Sequence, residues 1–126
     1  MRSDRTLLRW FRLINHKFFN NELPQDTCVR WADETDIKKD ARCEDKYFGW
    51  ADTADSEDRR HTYVIVLSRE QNSKWCVRIG TLAHEMCHIA TKLKDSHGAV
   101  FESQRQLIAD RGIFKKHALR KGLTLF

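Results

Sequence analysis

The chain has little of what a disordered segment or a membrane span requires. It holds one proline and five glycines in 126 residues, and 40% of its residues are hydrophobic. Disordered chains usually show the opposite balance, because they are poor in apolar residues. No apolar run approaches the length of a membrane-spanning helix, about 20 residues. We therefore expect one folded domain over residues 1–126, near the commonest domain size, with no membrane partner.

The cysteines of the chain show no C-x-x-C pairing. They are Cys28, Cys43, Cys76 and Cys87. The first residues lead into an amphipathic pattern and not into the apolar core of a secretory signal peptide. We therefore expect reduced thiols and an intracellular protein, in the cytoplasm, nucleoid or nucleus, that is not secreted.

Acidic residues are missing from residues 111–126, which carry only basic charges. The predicted first helix is also basic, whereas residues 33–58 hold ten acidic and four basic residues, and the net charge is +5. A chain that is basic at both ends can bind nucleic acid through those ends. The alternative, which charge alone leaves open, is an ordinary solvated surface.

Apolar periodicity predicts three helices separated by extended segments. Leu7, Phe11 and Ile14 repeat at helical spacing, which indicates an amphipathic first helix with Ser3 as its N-cap. A second helix follows Asn72, which is a candidate cap together with Ser73, and a third runs over residues 100–111. Between the first two helices, segments rich in β-branched and aromatic residues are typical of strands. These segments span residues 27–31, 47–51 and 62–67.

The second of these helices carries the pattern His-Glu-x-x-His, formed by His84, Glu85 and His88. Residues four apart are neighbours on a helix, so both imidazoles can meet on one metal ion. Glu85 lies about 100° round the helix and can reach a water held by that ion without being a ligand. The rest of the helix surface is apolar, and burying these polar groups is costly unless they are paired or bind a metal. The alternative is a chance pattern of ordinary histidines.

A catalytic zinc ion takes three protein ligands and keeps one position open for water. His97 follows His88 by nine residues, and Gly98 with the polar residues before it suits a turn back toward the helix. We therefore predict zinc as the cofactor, His84, His88 and His97 as the metal ligands, and Glu85 as the catalytic general base. We expect the metal-binding helix to end near Lys94.

The His-Glu-x-x-His pattern followed by His97-Gly98-Ala99-Val100-Phe101 closely resembles the SprT-like metalloprotease domain, which includes Spartan-type proteases of DNA–protein crosslinks. The resemblance extends to the four segments 18–24, 29–31, 48–51 and 64–68, and so covers about residues 5–112. Many members of that family continue into a cysteine-rich zinc ribbon, and Spartan-type proteins carry long tails that bind DNA and partners. We expect neither feature in these 126 residues.

The fold that we expect is α+β: a small zincin-like domain with about three helices packed on a small, mainly antiparallel sheet. The single SprT-like domain would have its core at about 5–112 and a basic C-terminal segment at 113–126. The resemblance implies a zinc metalloendopeptidase that acts on proteins bound or crosslinked to DNA. Single-stranded or double-stranded DNA is then a possible partner beside the protein or peptide substrate.

Zinc proteases hold an extended substrate peptide against the edge of a sheet. We predict that Gly49, Trp50 and Ala51 form this substrate-binding edge, where Gly49 leaves room for a substrate backbone. The alternative is a core strand that happens to contain a glycine. Two other functions stay open, a nucleic-acid-binding module with a structural zinc and a zinc hydrolase that does not cleave proteins.

Overall fold

The computed structural model describes residues 2–33, 48–54, 60–69, 72, 75–93 and 98–110. Within these ranges the chain forms three helices and three strands, which confirms the α+β class. The elements in chain order are α1 (Arg5–Phe18), β1 (Cys28–Trp31), β2 (Gly49–Thr53), β3 (Tyr63–Leu67), α2 (Trp75–Ala90) and α3 (Ala99–Asp110). None of these helices has the length and apolar character needed to cross a bilayer.

The three strands form one sheet in the order β1-β3-β2. β2 runs antiparallel to β3, with Gly49 opposite Leu67 and Trp50 opposite Val66, whereas β1 runs parallel to β3. The sheet is therefore mixed, with one pair of each kind, where we had expected it to be mainly antiparallel. β1 and β3 are separated in the chain by β2, and so long a connection permits a parallel pair that a hairpin would not.

Helix α1 buries the apolar stripe predicted for it, with Leu7, Phe11 and Ile14 fully inaccessible to solvent. Its N-cap is Asp4, whose carboxylate accepts a hydrogen bond from the Leu7 N–H at 3.0 Å. The prediction of Ser3 as the cap was wrong by one residue. The Ser3 hydroxyl accepts instead from the Val29 N–H at 3.0 Å and so ties the start of the helix to β1.

The end of α1 is fixed by a buried asparagine. Asn15 donates from Nδ2 to the Leu23 carbonyl and accepts at Oδ1 from the Leu23 N–H, both at 3.1 Å. Asn20 and Asn21 have φ values of 54° and 60°, a left-handed conformation that asparagine tolerates better than most residues. The helix is therefore followed by two left-handed residues, and Asn15 holds the chain that follows.

The two faces of the sheet have separate cores. Val29, Ile65 and Leu67 pack with the three helices on one face and form the larger cluster. Cys28, Val64 and Val66 form a smaller cluster on the opposite face, with Trp50 packed against it. Because alternate residues of a strand point to opposite faces, Ala51 packs toward the helices and Trp50 away from them.

Asn72 joins the sheet to the metal-binding helix. Its Nδ2 donates to the Phe48 carbonyl at 2.7 Å, just before β2, and to the Ser68 carbonyl at 2.6 Å, just after β3. Its own carbonyl accepts from Nε of Arg78 at 3.2 Å, in the first turn of α2. The side chain of Asn72 is therefore engaged with the strand ends, whereas we had considered it as a cap of α2. The other candidate cap, Ser73, lies outside the described residues.

Candidate metal centre

Helix α2 brings three potential metal ligands together. His84, Glu85 and His88 each offer a ligand atom, and these atoms all lie within 4.8 Å of one another. The helical spacing predicted from the sequence is thus realised, because residues 84 and 88 share one face of α2. In chemistry and spacing, two imidazoles and a carboxylate suit a divalent metal ion. The group can therefore hold a metal ion, and the structure itself does not identify which one.

The three side chains lie at the boundary between the core and solvent. Glu85 is only 4% exposed, while the side chain of His84 is 37% exposed. The neighbouring residues Leu82 and Met86 are buried in the main cluster and fix the orientation of the helix. His84 Nε2 lies 3.9 Å from Oε1 of Glu85. An ion held here would be reachable from solvent on the His84 side and backed by protein on the Glu85 side.

Phe101 of α3 contacts both imidazoles. Its ring stacks on His88 with the ring centroids 4.3 Å apart and an interplanar angle of 27°. The same ring meets His84 at 4.9 Å and 61°. The two imidazoles are 5.1 Å apart at 75° to each other. The three rings therefore form one cluster, in which a residue of the third helix contacts both candidate ligands on the second.

Sequence reasoning missed this role of Phe101. It placed Phe101 in the third helix, predicted over residues 100–111, and the residue is fully buried there. The one signal available was its position in the segment that follows His97, since that segment belongs to the family motif. Spacing within a helix can predict how His84 and His88 sit, but it cannot predict which residue of another helix packs on them.

The chain turns sharply after the second histidine. Helix α2 ends at Ala90, and Lys92 and Leu93 adopt left-handed φ values of 56° and 61°. The Leu93 N–H donates to the His88 carbonyl at 2.8 Å, which closes the turn. The helix therefore ends about four residues before Lys94, the end predicted from the sequence. His97, the predicted third ligand, lies outside the described residues.

Cys87 lies between the two histidines in sequence but faces the core. It is fully buried in the main cluster. Burial raises the pKa of its thiol from 9.0 to about 12. The Arg105 guanidinium opposes this rise, while the carboxylates of Glu85 and Glu102 add to it. At neutral pH the thiol is therefore protonated, and its side chain packs in the core rather than with the metal group.

The predicted substrate edge is a strand at the end of the sheet. Gly49, Trp50 and Ala51 open β2, which has β3 as its neighbour in the order β1-β3-β2. A Cβ added to Gly49 would lie 2.6 Å from the Val66 carbonyl oxygen and 2.9 Å from Leu67 Cδ2. The glycine is therefore required by the packing of β2 on β3. Leu67 and Val66 fill the position that a Cβ would take, and the assignment of Gly49, Trp50 and Ala51 to substrate binding stays a prediction.

A model of the SprT-like family matches residues 7–118 of this chain. This range includes all six helices and strands except the first residues of α1, and it contains the group formed by His84, Glu85 and His88. No curated protein and no solved structure is similar enough to match.

Proposed function

The chain belongs to the SprT-like family, and from this premise we propose that it is a zinc-dependent metalloendopeptidase. The observation that carries the proposal is the convergence of His84, Glu85 and His88 on one face of α2. Family membership and this possible metal site together support a metalloprotease type of function. The identity of the metal, the reaction and the substrate are the parts that we propose.

We propose that His84, His88 and His97 hold the zinc ion. Imidazole suits zinc among several metals, and three protein ligands leave a position open for chemistry. A ligand from the segment before α3 is supported by Phe101, because this residue, four after His97 in the sequence, contacts both imidazoles. Zinc bound there would supply an activated water and would polarise the carbonyl of the scissile peptide bond.

Glu85 is the proposed general base. Its carboxylate is nearly buried and lies 3.9 Å from Nε2 of His84, so it faces the metal group and not bulk solvent. Glu85 would accept a proton from the attacking water as the water oxygen bonds to the peptide carbon. It would then return that proton to the nitrogen of the leaving amine as the carbon–nitrogen bond breaks. The carboxylate ends the cycle ionised, as it began.

We propose that β2 binds the substrate by strand addition. An extended peptide can add to a sheet edge through backbone hydrogen bonds, and side-chain pockets then supply specificity. β2 packs against α2, so a peptide on this edge would lie beside the metal helix. Phe48, just before β2, is 47% exposed, which supports contact with an apolar substrate side chain.

The sharpest test of the reaction compares two isosteric substitutions. Glu85→Gln removes only the proton acceptor, so we expect one zinc per chain and a loss of kcat of at least about 100-fold. Glu102→Gln makes the same change on exposed α3 and removes one surface ion pair to Arg105. This control should keep full activity, since such pairs contribute about 0–1 kcal/mol. Cleavage by Glu85→Gln at the parental rate would refute Glu85 as the base.

Substitution of the ligands separates metal binding from catalysis. We expect His84→Ala and His97→Ala each to lose zinc, measured by metal analysis after dialysis, whereas Glu85→Gln retains it. Chelation should abolish peptide cleavage and added zinc should restore it. A His97→Ala variant that binds zinc as tightly as the parent would exclude residue 97 from the metal site.

A structural zinc in a nucleic-acid-binding module is the rival function. Such sites normally fill all four positions with cysteine or histidine. In the described ranges the metal group contains a carboxylate and no cysteine, and Cys87 is turned into the core. This composition supports a catalytic site over a structural one. DNA binding without cleavage of any bound protein would favour the rival.

We further propose that the natural substrates are proteins bound or crosslinked to DNA. On α1 the side chains of Arg5, Arg9 and Arg12 are all exposed and recur at helical spacing, which gives a basic stripe on the outer face. A second basic site surrounds Trp31, where the guanidinium carbons of Arg69 and Arg78 lie 4.7 and 4.8 Å from the centre of the indole. Basic side chains and a stacking aromatic support contact with phosphates and bases.

The DNA proposal is tested by the salt dependence of binding. Replacing Arg5, Arg9 and Arg12 by glutamine should weaken binding of single-stranded or double-stranded DNA. It should also reduce the slope of log K against log salt by about 1 for each phosphate that the variant no longer neutralises. Arg105→Gln, which removes a charge from α3, is the matched control and should leave the slope unchanged. Equal cleavage of free and DNA-crosslinked substrate at all DNA concentrations would refute a DNA-directed protease.

A further inference from the structure

We propose that Phe101 is a positioning residue that fixes the planes of both metal-binding imidazoles, so that α3 prepares the site before a metal arrives. This inference rests on the proposed function, because it treats His84 and His88 as ligands. It goes beyond that function by assigning the orientation of the ligands to a residue on another helix.

The geometry of the three rings carries the inference. One aromatic ring touches both imidazoles, face to face at His88 with 4.3 Å between centroids and tilted by 61° at His84 with 4.9 Å. Aromatic rings attract one another in both arrangements at these separations. A helix backbone fixes where the two Cβ atoms lie but leaves the ring torsions to be set by packing. Turning the plane of either imidazole would therefore break its contact with Phe101.

Phe101 itself has little freedom to move. It is fully inaccessible to solvent, as is Ile108, two turns further along the same face of α3. Both residues belong to the main core cluster, together with Leu82 and Met86 of α2. Glu102, the next residue, donates its N–H to the Gly98 carbonyl at 2.9 Å and so closes the first turn of α3. The ring is thus held by the core on one side and presents its other surfaces to the imidazoles.

Preorganised ligands bind a metal more tightly because less conformational freedom is lost on binding. Groups that orient metal-binding histidines are typically hydrogen-bond acceptors, and losing one weakens metal binding by about 10–100-fold. An aromatic ring in contact with two ligands at once serves the same purpose through packing. We therefore expect a loss of similar size when the ring of Phe101 is removed while its apolar volume is largely kept.

The experiment compares Phe101→Leu with Ile108→Ala in the full chain. Zinc affinity is measured by competition with a chelator, and cobalt substitution gives an absorption spectrum that reports ligand geometry. Phe101→Leu should bind zinc about 10–100-fold more weakly, with a shifted cobalt spectrum. Ile108→Ala removes a buried side chain from the same helix but not the ring, so it should lower stability and leave the affinity within about twofold of the parent.

The outcomes distinguish the positioning role of Phe101 from the proposed zinc-dependent function. Parental zinc affinity in Phe101→Leu would overturn the positioning role, and so would an equal loss of affinity in both variants, because the effect would then come from α3 packing in general. If the parent chain binds no zinc, the proposed function fails instead.

The contact between Phe101 and His88 can also be tested without a metal ion. In the metal-free parent, the stacked ring should shift the NMR signals of the His88 ring protons upfield. Unshifted signals in that spectrum would contradict the ring contact itself, even if no substituted variant folds.

Discussion

Replacement by alanine should change the stability of the protein in opposite directions at Gly49 and at Gly80. Gly49 opens β2, where an added Cβ would lie 2.6 Å from the backbone oxygen of Val66. Gly80 lies within α2, where an added Cβ would meet no described atom within 4 Å beyond the neighbouring backbone of its own helix. Replacing each with alanine therefore tests whether the packing of β2 on β3 is as close as the structure shows.

The magnitudes follow from the surroundings of each residue. Alanine at position 80 removes the helix penalty of glycine without a clash, so it should stabilise the protein by about 0.5–1 kcal/mol. Alanine at position 49 forces β2 away from a backbone atom that cannot rotate aside, and overpacking of this kind costs about 1–3 kcal/mol. For a domain of this size, 1 kcal/mol corresponds to roughly 3–5 °C in Tm.

Thermal denaturation followed by circular dichroism measures both effects on one scale. We expect the Tm of Gly80→Ala to rise by about 2–4 °C and that of Gly49→Ala to fall by about 3–15 °C. The pair is its own control, because each variant adds one methyl group to a glycine. If Gly49→Ala were as stable as the parent, the close approach of β2 to β3 would be wrong. If Gly80→Ala were destabilised, position 80 would have to face a packed neighbour.

Three further predictions concern buried polar groups. Asn72→Asp loses both amide donors to strand carbonyls, so the free energy of unfolding, measured in urea, should fall by at least about 2 kcal/mol; parental stability would show that these bonds are not formed. Asn15→Ala leaves the N–H and carbonyl of Leu23 without their partner and should cost about 2–4 kcal/mol, again by urea denaturation. The Cys87 thiol should resist alkylation in the native protein but react once unfolded, because burial raises its pKa to about 12. Well below pH 9.0, the pKa of the unfolded thiol, Cys87 is protonated in both states. As the pH rises from around 9.0 to about 12, the unfolded state loses the proton and the folded state keeps it. The free energy of unfolding should therefore fall with rising pH in this range. Cys87→Ala should lack this part of the pH dependence.

The parts of the fold that could be predicted are those governed by local periodicity. Leu7, Phe11 and Ile14 repeat along one helix face, and their burial needs no knowledge of distant residues. The convergence of His84 and His88 is local in the same sense, because helical geometry alone brings residues four apart together. The resemblance to the SprT-like family supplied the α+β fold class that these local patterns could not, and the family match confirms the resemblance.

The predictions from sequence failed where a residue interacts with a segment that lies far from it in the chain. Ser3 has the right chemistry for a helix cap, but its hydroxyl bonds to the Val29 N–H, and the next residue, Asp4, caps the helix instead. The direction of β1 relative to β3 depends on a connection that passes through another strand, and strand patterns do not encode it. The close contact of Gly49 with Val66 and Leu67 could not be predicted either, because it depends on the strand register.

The side chain of Asn72 shows why the proposed substrate edge and the metal helix can act as one site. The Phe48 carbonyl, just before β2, accepts from both the Ser68 N–H at 2.9 Å and the amide of Asn72 at 2.7 Å. The backbone of Asn72 in turn accepts from Arg78 in the first turn of α2. Because one buried residue bonds to the start of the edge strand and to the start of the helix, their spacing is set by the fold. A peptide bound along β2, as we propose, would then lie at a distance from His84 and His88 that these bonds help to set.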